Sequence, residues 1–223
     1  ATRKTYHKDP TLNTIHRASL LVPEIPNAIA EISFINHFLL KRQYSNVACK
    51  ITAIDTSGKK LQSKLHRIDK PVVYNFKLTG MVTEPVSNYM IEFFAPDNLF
   101  IPFPAVMINH HGKNFINQVH AFNRVLNDVF EDDDINSHQV KEASIDLVVN
   151  EDTDTFLLFT TGPLPCKDSL EIEVITPNQS MVKKFDIDLP RFGVKKVEFK
   201  KLFEQIQNGT RGIIKAAQPS QHL

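Results

Sequence analysis

Ile51-Thr52-Ala53-Ile54-Asp55 runs into Thr56-Ser57-Gly58-Lys59-Lys60-Leu61, and Ile172-Glu173-Val174-Ile175-Thr176 runs into Pro177-Asn178-Gln179-Ser180-Met181-Val182 at an offset of 121. Each is an apolar strand that closes on a polar turn and opens into a second strand. In the first, Asp55 is placed to accept from backbone N–H groups just after it and Gly58 supplies a positive φ, so the turn has a mechanism. Working outward, Asn75-Phe76-Lys77-Leu78 matches Glu198-Phe199-Lys200-Lys201 at an offset of 123. Met90-Ile91-Glu92 matches Gly212-Ile213-Ile214 at 122, each leading to a proline, Pro96 or Pro219. Upstream, Ala30-Glu31-Ile32-Ser33-Phe34 meets Thr155-Phe156-Leu157-Leu158-Phe159 with a few residues of slip. Identity is low throughout. What recurs is strand, turn and strand at nearly constant separation, which is how a duplicated unit reads in sequence.

Short strands at such spacing, bounded by turns with a mechanism, predict an all-β protein of two tandem immunoglobulin/fibronectin-like β-sandwich units. The likeness is one of shape: the chain has two cysteines and no tryptophan, so the Cys…Trp…Cys signature of true immunoglobulin domains is missing. The reading gives a first domain over 12–130, an acidic linker over 131–138 and a second domain over 139–223. Ala143, Ile145, Leu147 and Val149 alternate with Ser144, Asp146 and Val148, which predicts a strand there. Phe199, Leu202, Phe203 and Ile206 recur at helical spacing and predict a short helix after the strand at Val197. Unit one continues past Pro96 into a hairpin over 102–126, whereas unit two reaches Leu223 where its own hairpin should begin. The expectation is that unit two is incomplete at that end and the chain is a piece of a longer protein. Its start at Ala1 instead of Met points the same way.

Net charge is +1 from 26 basic and 25 acidic residues, which gives no electrostatic case for nucleic acid. No apolar run has the length needed to span a bilayer as a helix. Seven glycines leave little room for a phosphate-cradling loop, and neither a Gly-x-Ser-x-Gly elbow nor a cysteine in a catalytic context is present. Cys49 sits in core phase on a strand and Cys166 follows Pro163-Leu164-Pro165 in what reads as a loop; their non-equivalent places argue against a disulfide. Asn178-Gln179-Ser180 and Asn208-Gly209-Thr210 are glycosylation sequons, relevant only in a secreted eukaryotic setting.

The most site-like stretch is Asn109-His110-His111-Gly112-Lys113-Asn114, followed by His120, Phe122 and Arg124. Three histidines suggest a transition metal. With Gly112-Lys113 as the hairpin tip, however, His120 faces Ala105 and lies roughly 20 Å along the ladder from His111, while His110 and His111 point to opposite faces. One metal cannot hold both. His120, Phe122 and Arg124 share a strand face that suits a sugar or a carboxylate, against the plainer reading of a partly exposed strand with long polar side chains. At the linker, Asp132, Asp134 and Asn136 copy the 1, 3, 5 spacing of an EF-hand loop, but Ser137 stands at position 6 in place of glycine and Ala143 at position 12 in place of glutamate. A looser calcium site there is the one cofactor the sequence admits; a solvated acidic linker is the default.

Together these features point first to a non-catalytic binding or assembly module that contacts a protein or glycan partner through Asn109, His110, His111, His120, Phe122 and Arg124. An enzyme or enzyme accessory domain acting on a saccharide through His110, His120 and Arg124, with a metal-dependent form among its versions, is the alternative. A structural subunit of a homo- or hetero-oligomer, joined through an exposed sheet edge, is the third.

Overall fold

Alternation of apolar and polar residues forces a strand to bury one face, so two such sheets pack together with their apolar rows between them. The computed structural model describes residues 16–95, 105–121, 142–162 and 164–217; Phe122, Arg124, Asp132, Asp134 and Asn136 lie outside them. The described chain is nearly all β, in four antiparallel sheets that do not close into a barrel. It divides into two compact units, residues 1–132 and 133–223. Among the described residues no helix is long and apolar enough to cross a membrane.

Unit one contains β1 (His16–Pro23), β2 (Ala28–Ile35), the helix α1 (His37–Arg42), β3 (Val47–Ile54), β4 (Lys60–Ile68), β5 (Val73–Lys77), β6 (Asn88–Ala95), β7 (Val106–Gly112) and β8 (Ile116–Ala121). One sheet runs β1-β6-β3-β4 and the other β5-β2-β7-β8. The rows Leu20–Ile91–Ile51 and Val22–Tyr89–Ala53 lie in register across the first sheet and are all buried. From the second sheet Ala30, Ile32, Phe34, Val106 and Ile108 close on the same core. Phe93 sits at its centre, edge-on to Phe34 at 5.0 Å and 5.6 Å from Phe38 between ring centres. The turn between β3 and β4 forms as its sequence implies: Asp55 Oδ1 accepts from Ser57 N at 2.8 Å and Lys59 N at 2.9 Å, and Gly58 has φ 80°.

The helix α1 was not foreseen. Asn36 caps it by accepting from Leu39 N at 3.1 Å, while its Nδ2 donates to the Ile68 and Lys70 carbonyls. One fully buried amide therefore ties the end of β2 to the end of β4, and it replaces bonds that the interior denies to water.

Unit two contains β9 (Glu142–Val148), β10 (Phe156–Thr160), β11 (Cys166–Ile175), β12 (Ser180–Leu189), β13 (Val194–Glu198), the short helix α2 (Phe199–Leu202) and β14 (Arg211–Ala217). Its sheets are β12-β11-β14-β9 and the pair β10-β13. Counted from the first strand of each unit, both large sheets read one-six-three-four, and the two-five pair is common to both. Three of the four matched stretches of sequence fall on β3 and β11, on β2 and β10, and on β6 and β14; the fourth does not, since Asn75 to Lys77 lie on β5 whereas Phe199 to Lys201 lie on α2. The core gathers Leu147, Leu170, Ile172, Val174, Val197, Phe199, Phe203 and Ile214. Gly212 on β14 leaves no room for a side chain, because a Cβ there would strike the Ile175 carbonyl oxygen.

Cys166 is not in a loop. It opens β11 opposite Leu189 and is buried, because the Pro163-Leu164-Pro165 run ends just before it and the core phase starts at once. Both cysteines are free. Burial pushes the Cys49 thiol up to about 12, and burial with the nearby Asp168 charge raises Cys166. Burial and the raised pKa both disfavour the thiolate in the folded state. A thiol-reactive disulfide reagent should label less than a tenth of the cysteines in the native protein and both after denaturation; rapid native labelling would contradict the burial described. Phe93→Ala should cost about 3–5 kcal/mol, read as a lower urea midpoint, and a loss under about 1 kcal/mol would show that this core tolerates a cavity of that size.

Candidate functional site

Antiparallel pairing places directly opposed residues on the same face. In the β5-β2-β7-β8 sheet this sends Ala30, Ile32, Ile108 and His110 inward and Glu31, Ser33, Asn109 and His111 outward. β8 joins β7 with Met107 opposite His120, Asn109 opposite Gln118 and His111 opposite Ile116. His120 thus pairs two residues further along β7 than its expected partner Ala105. The reason is the turn: Gly112 N donates to the Phe115 carbonyl at 2.9 Å, so Lys113-Asn114 forms the tip. The Phe115 ring lies against the Gly112 Cα, a place that any side chain would occupy.

The outer face of this sheet carries a continuous polar ladder. His111 Nε2 donates to Glu31 Oε1 at 2.8 Å. Asn109 Nδ2 donates to Ser33 Oγ at 3.3 Å and, more weakly, to Glu31 Oε1 at 3.5 Å. Gln118 Nε2 donates to Asn109 Oδ1 at 2.9 Å. Asn109 is buried although it points away from the core, because the side chains on both flanking strands close over it. Apolar residues bracket the ladder: Ile29, Phe115 and Ile116 are exposed at one end, Ile35 and Val73 at the other.

Of the residues expected to bind, Asn109, His111 and His120 share this face, whereas His110 does not. His110 lies inside, 2 % exposed, with Nε2 2.9 Å from the Pro23 carbonyl. A carbonyl oxygen only accepts, so Nε2 carries the proton, and Nδ1 has no hydrogen-bond partner among the described residues. It is a structural strut between β7 and the end of β1. His110 and His120 consequently face opposite ways and form no constellation. Among the described residues no three His, Cys, Asp or Glu side chains gather to hold a metal ion. Sequence reasoning missed Glu31, Ser33 and Gln118, although period-two alternation in β2 already placed Glu31 and Ser33 on the face opposite Ala30 and Ile32.

Comparisons of this chain with protein-family models, with curated proteins and with solved structures find no match. The fold and the polar ladder therefore define the class: an all-β protein with a structured polar sheet face.

Burial lowers the His110 pKa below the ordinary imidazole value, with the Pro23 bond opposing and the charge of His111 assisting; burial lowers His37 likewise. An imidazole held below its unfolded value stabilises the fold above pH ~6.5, and that stability drains away as pH falls toward the folded-state value. Glu24 works oppositely at lower pH, since burial raises it. Chemical denaturation at pH 7.5 and pH 5.5 should show lower stability at pH 5.5. His110→Gln, which keeps a donor near the Pro23 carbonyl and does not titrate, should shrink that difference; an unchanged difference would remove His110 as its source.

Proposed function

We propose that the chain is a non-catalytic binding module of two tandem immunoglobulin-like β-sandwich units, and that its ligand face is the outer surface of the β5-β2-β7-β8 sheet. The reading of two related units is supported by the shared strand order of the large sheets and by three of the four matched stretches lying on corresponding strands. One observation carries the binding function: Glu31, Ser33, Asn109, His111 and Gln118 hold one another across three strands. Such an array has already lost its side-chain freedom, so a ligand that meets it loses less entropy than one that must order loose side chains. Planar amides beside a carboxylate and an imidazole present paired donors and acceptors, the pattern that vicinal hydroxyls satisfy. A saccharide is the ligand class that fits, with the exposed Ile29, Phe115 and Ile116 offering apolar contact to a ring face.

A glycan array followed by titration calorimetry tests this. Asn109→Ala should weaken binding at least tenfold, about 1.4 kcal/mol, because it removes the group that joins Gln118 to Ser33. Ile35→Ser, at the far end of the face, should leave affinity within about twofold. An array that stays blank with folded protein would overturn the saccharide reading.

A further inference from the structure

In unit one, β2 is flanked on both edges, by β5 and by β7. Its inward side chains Ala28, Ala30, Ile32 and Phe34 are consequently buried, as are Leu20 and Val22 on β1 across the core. In unit two, the corresponding strand β10 pairs with β13 alone among the described residues. Its inward residues Leu157 and Phe159 touch the core but remain partly exposed. On β9, Ile145 lies in register with Ile214 and Val174, both buried in the core row, and yet is 55 % exposed. Three core-facing apolar side chains of unit two, Leu157, Phe159 and Ile145, thus keep surface in water.

Among the described residues that edge is unpaired, and the strand itself carries no protecting residue. Phe156-Leu157-Leu158-Phe159-Thr160 contains no charge, no proline and no bulge, so its backbone groups are open to pairing. We infer that the β10 edge of unit two is a strand-acceptor site that takes an extended segment of another protein, antiparallel to β10, with apolar side chains at alternate positions. The pattern of the occupant follows from β7, which pairs antiparallel with β2 and turns Val106 and Ile108 into the core. Main-chain hydrogen bonds to β10 supply affinity, and alternate side chains covering Ile145, Leu157 and Phe159 supply selectivity. A second copy pairing β10 with β10 would offer Leu157 and Phe159, which already pack on their own core and so cannot turn into the partner's.

The probe is the synthetic peptide acetyl-Lys-Val-Thr-Ile-Thr-Val-Lys-amide, with a control peptide carrying proline for the central isoleucine. Amide exchange is followed residue by residue in the full 223-residue chain. Without peptide, the Phe156–Thr160 amides that do not bond to β13 should exchange freely and the protein should sediment as a monomer. Saturating peptide should slow those amides at least about tenfold, the proline control should not, and Ile145→Lys should abolish the effect. That variant folds because the side chain it replaces is largely in water. No slowing by the peptide would overturn the inference. So would edge amides already protected in the peptide-free chain: with a concentration-dependent dimer the occupant is a second copy, and in a monomer it is the chain itself.

Discussion

A two-layer β structure stands or falls on whether every inward side chain is covered by the facing layer. The whole of unit one answers that requirement. Leu20, Ile91 and Ile51 make a continuous inward row only because β1, β6 and β3 share one register, and that row needs a second sheet above it. β7 is the strand that completes the cover. Once it is in place, its own outward residues are obliged to meet those of β2 and β8, so the polar ladder is a by-product of closing the core. The site and the fold therefore have a common cause, the period-two alternation of β7, which sends Ile108 and His110 to one side and Asn109 and His111 to the other.

The same requirement explains the buried polar groups. Asn36, His110 and Thr161 are each at most 2 % exposed, and each stands where the chain leaves a strand or where two layers meet at an edge. Asn36 satisfies the Ile68 and Lys70 carbonyls; Thr161 donates to the Pro190 carbonyl at 2.6 Å and accepts from Gly193 N at 2.7 Å. These groups bond to backbone whose ladder has ended, which is where a β protein has orphaned donors and acceptors to satisfy. Glu92, buried beside Lys50 at 3.7 Å on the outward face of the β1-β6-β3-β4 sheet, is the charged counterpart.

Strand existence was legible because it depends on local alternation: β3, β11 and their polar turns could be read directly, and so could β9 from Ala143 to Val149. Register was harder. Placing the hairpin tip at Gly112-Lys113 instead of Lys113-Asn114 moved His120 by two positions, a shift that preserves its face and so leaves no trace in the alternation. The helix α1 escaped notice because six residues show too little of a 3.6-residue period, although Asn36 was a readable cap. Within the site, the histidines drew attention for their chemistry, yet His110 is a core strut and the organising residues are an amide, Asn109, and a carboxylate, Glu31. Glu31 is 78 positions from Asn109 in the chain, and no local pattern announces a pairing between strands so far apart.

The strands that carry the matched stretches 30–34 and 155–159 show how far the units differ. β2 lies between β5 and β7 and turns Ile32 and Phe34 inward, where Val106 and Ile108 of β7 join the same core and all four are buried. β10 turns Leu157 and Phe159, of comparable size, inward with no third strand beside them among the described residues, and both stay partly exposed. Uncovered area on that scale costs roughly 25 cal/mol for each Å² left in water. Phe156-Leu157-Leu158-Phe159 has its charges outside the strand, at Asp152 and Asp154, so that cost stands for as long as the edge stays open.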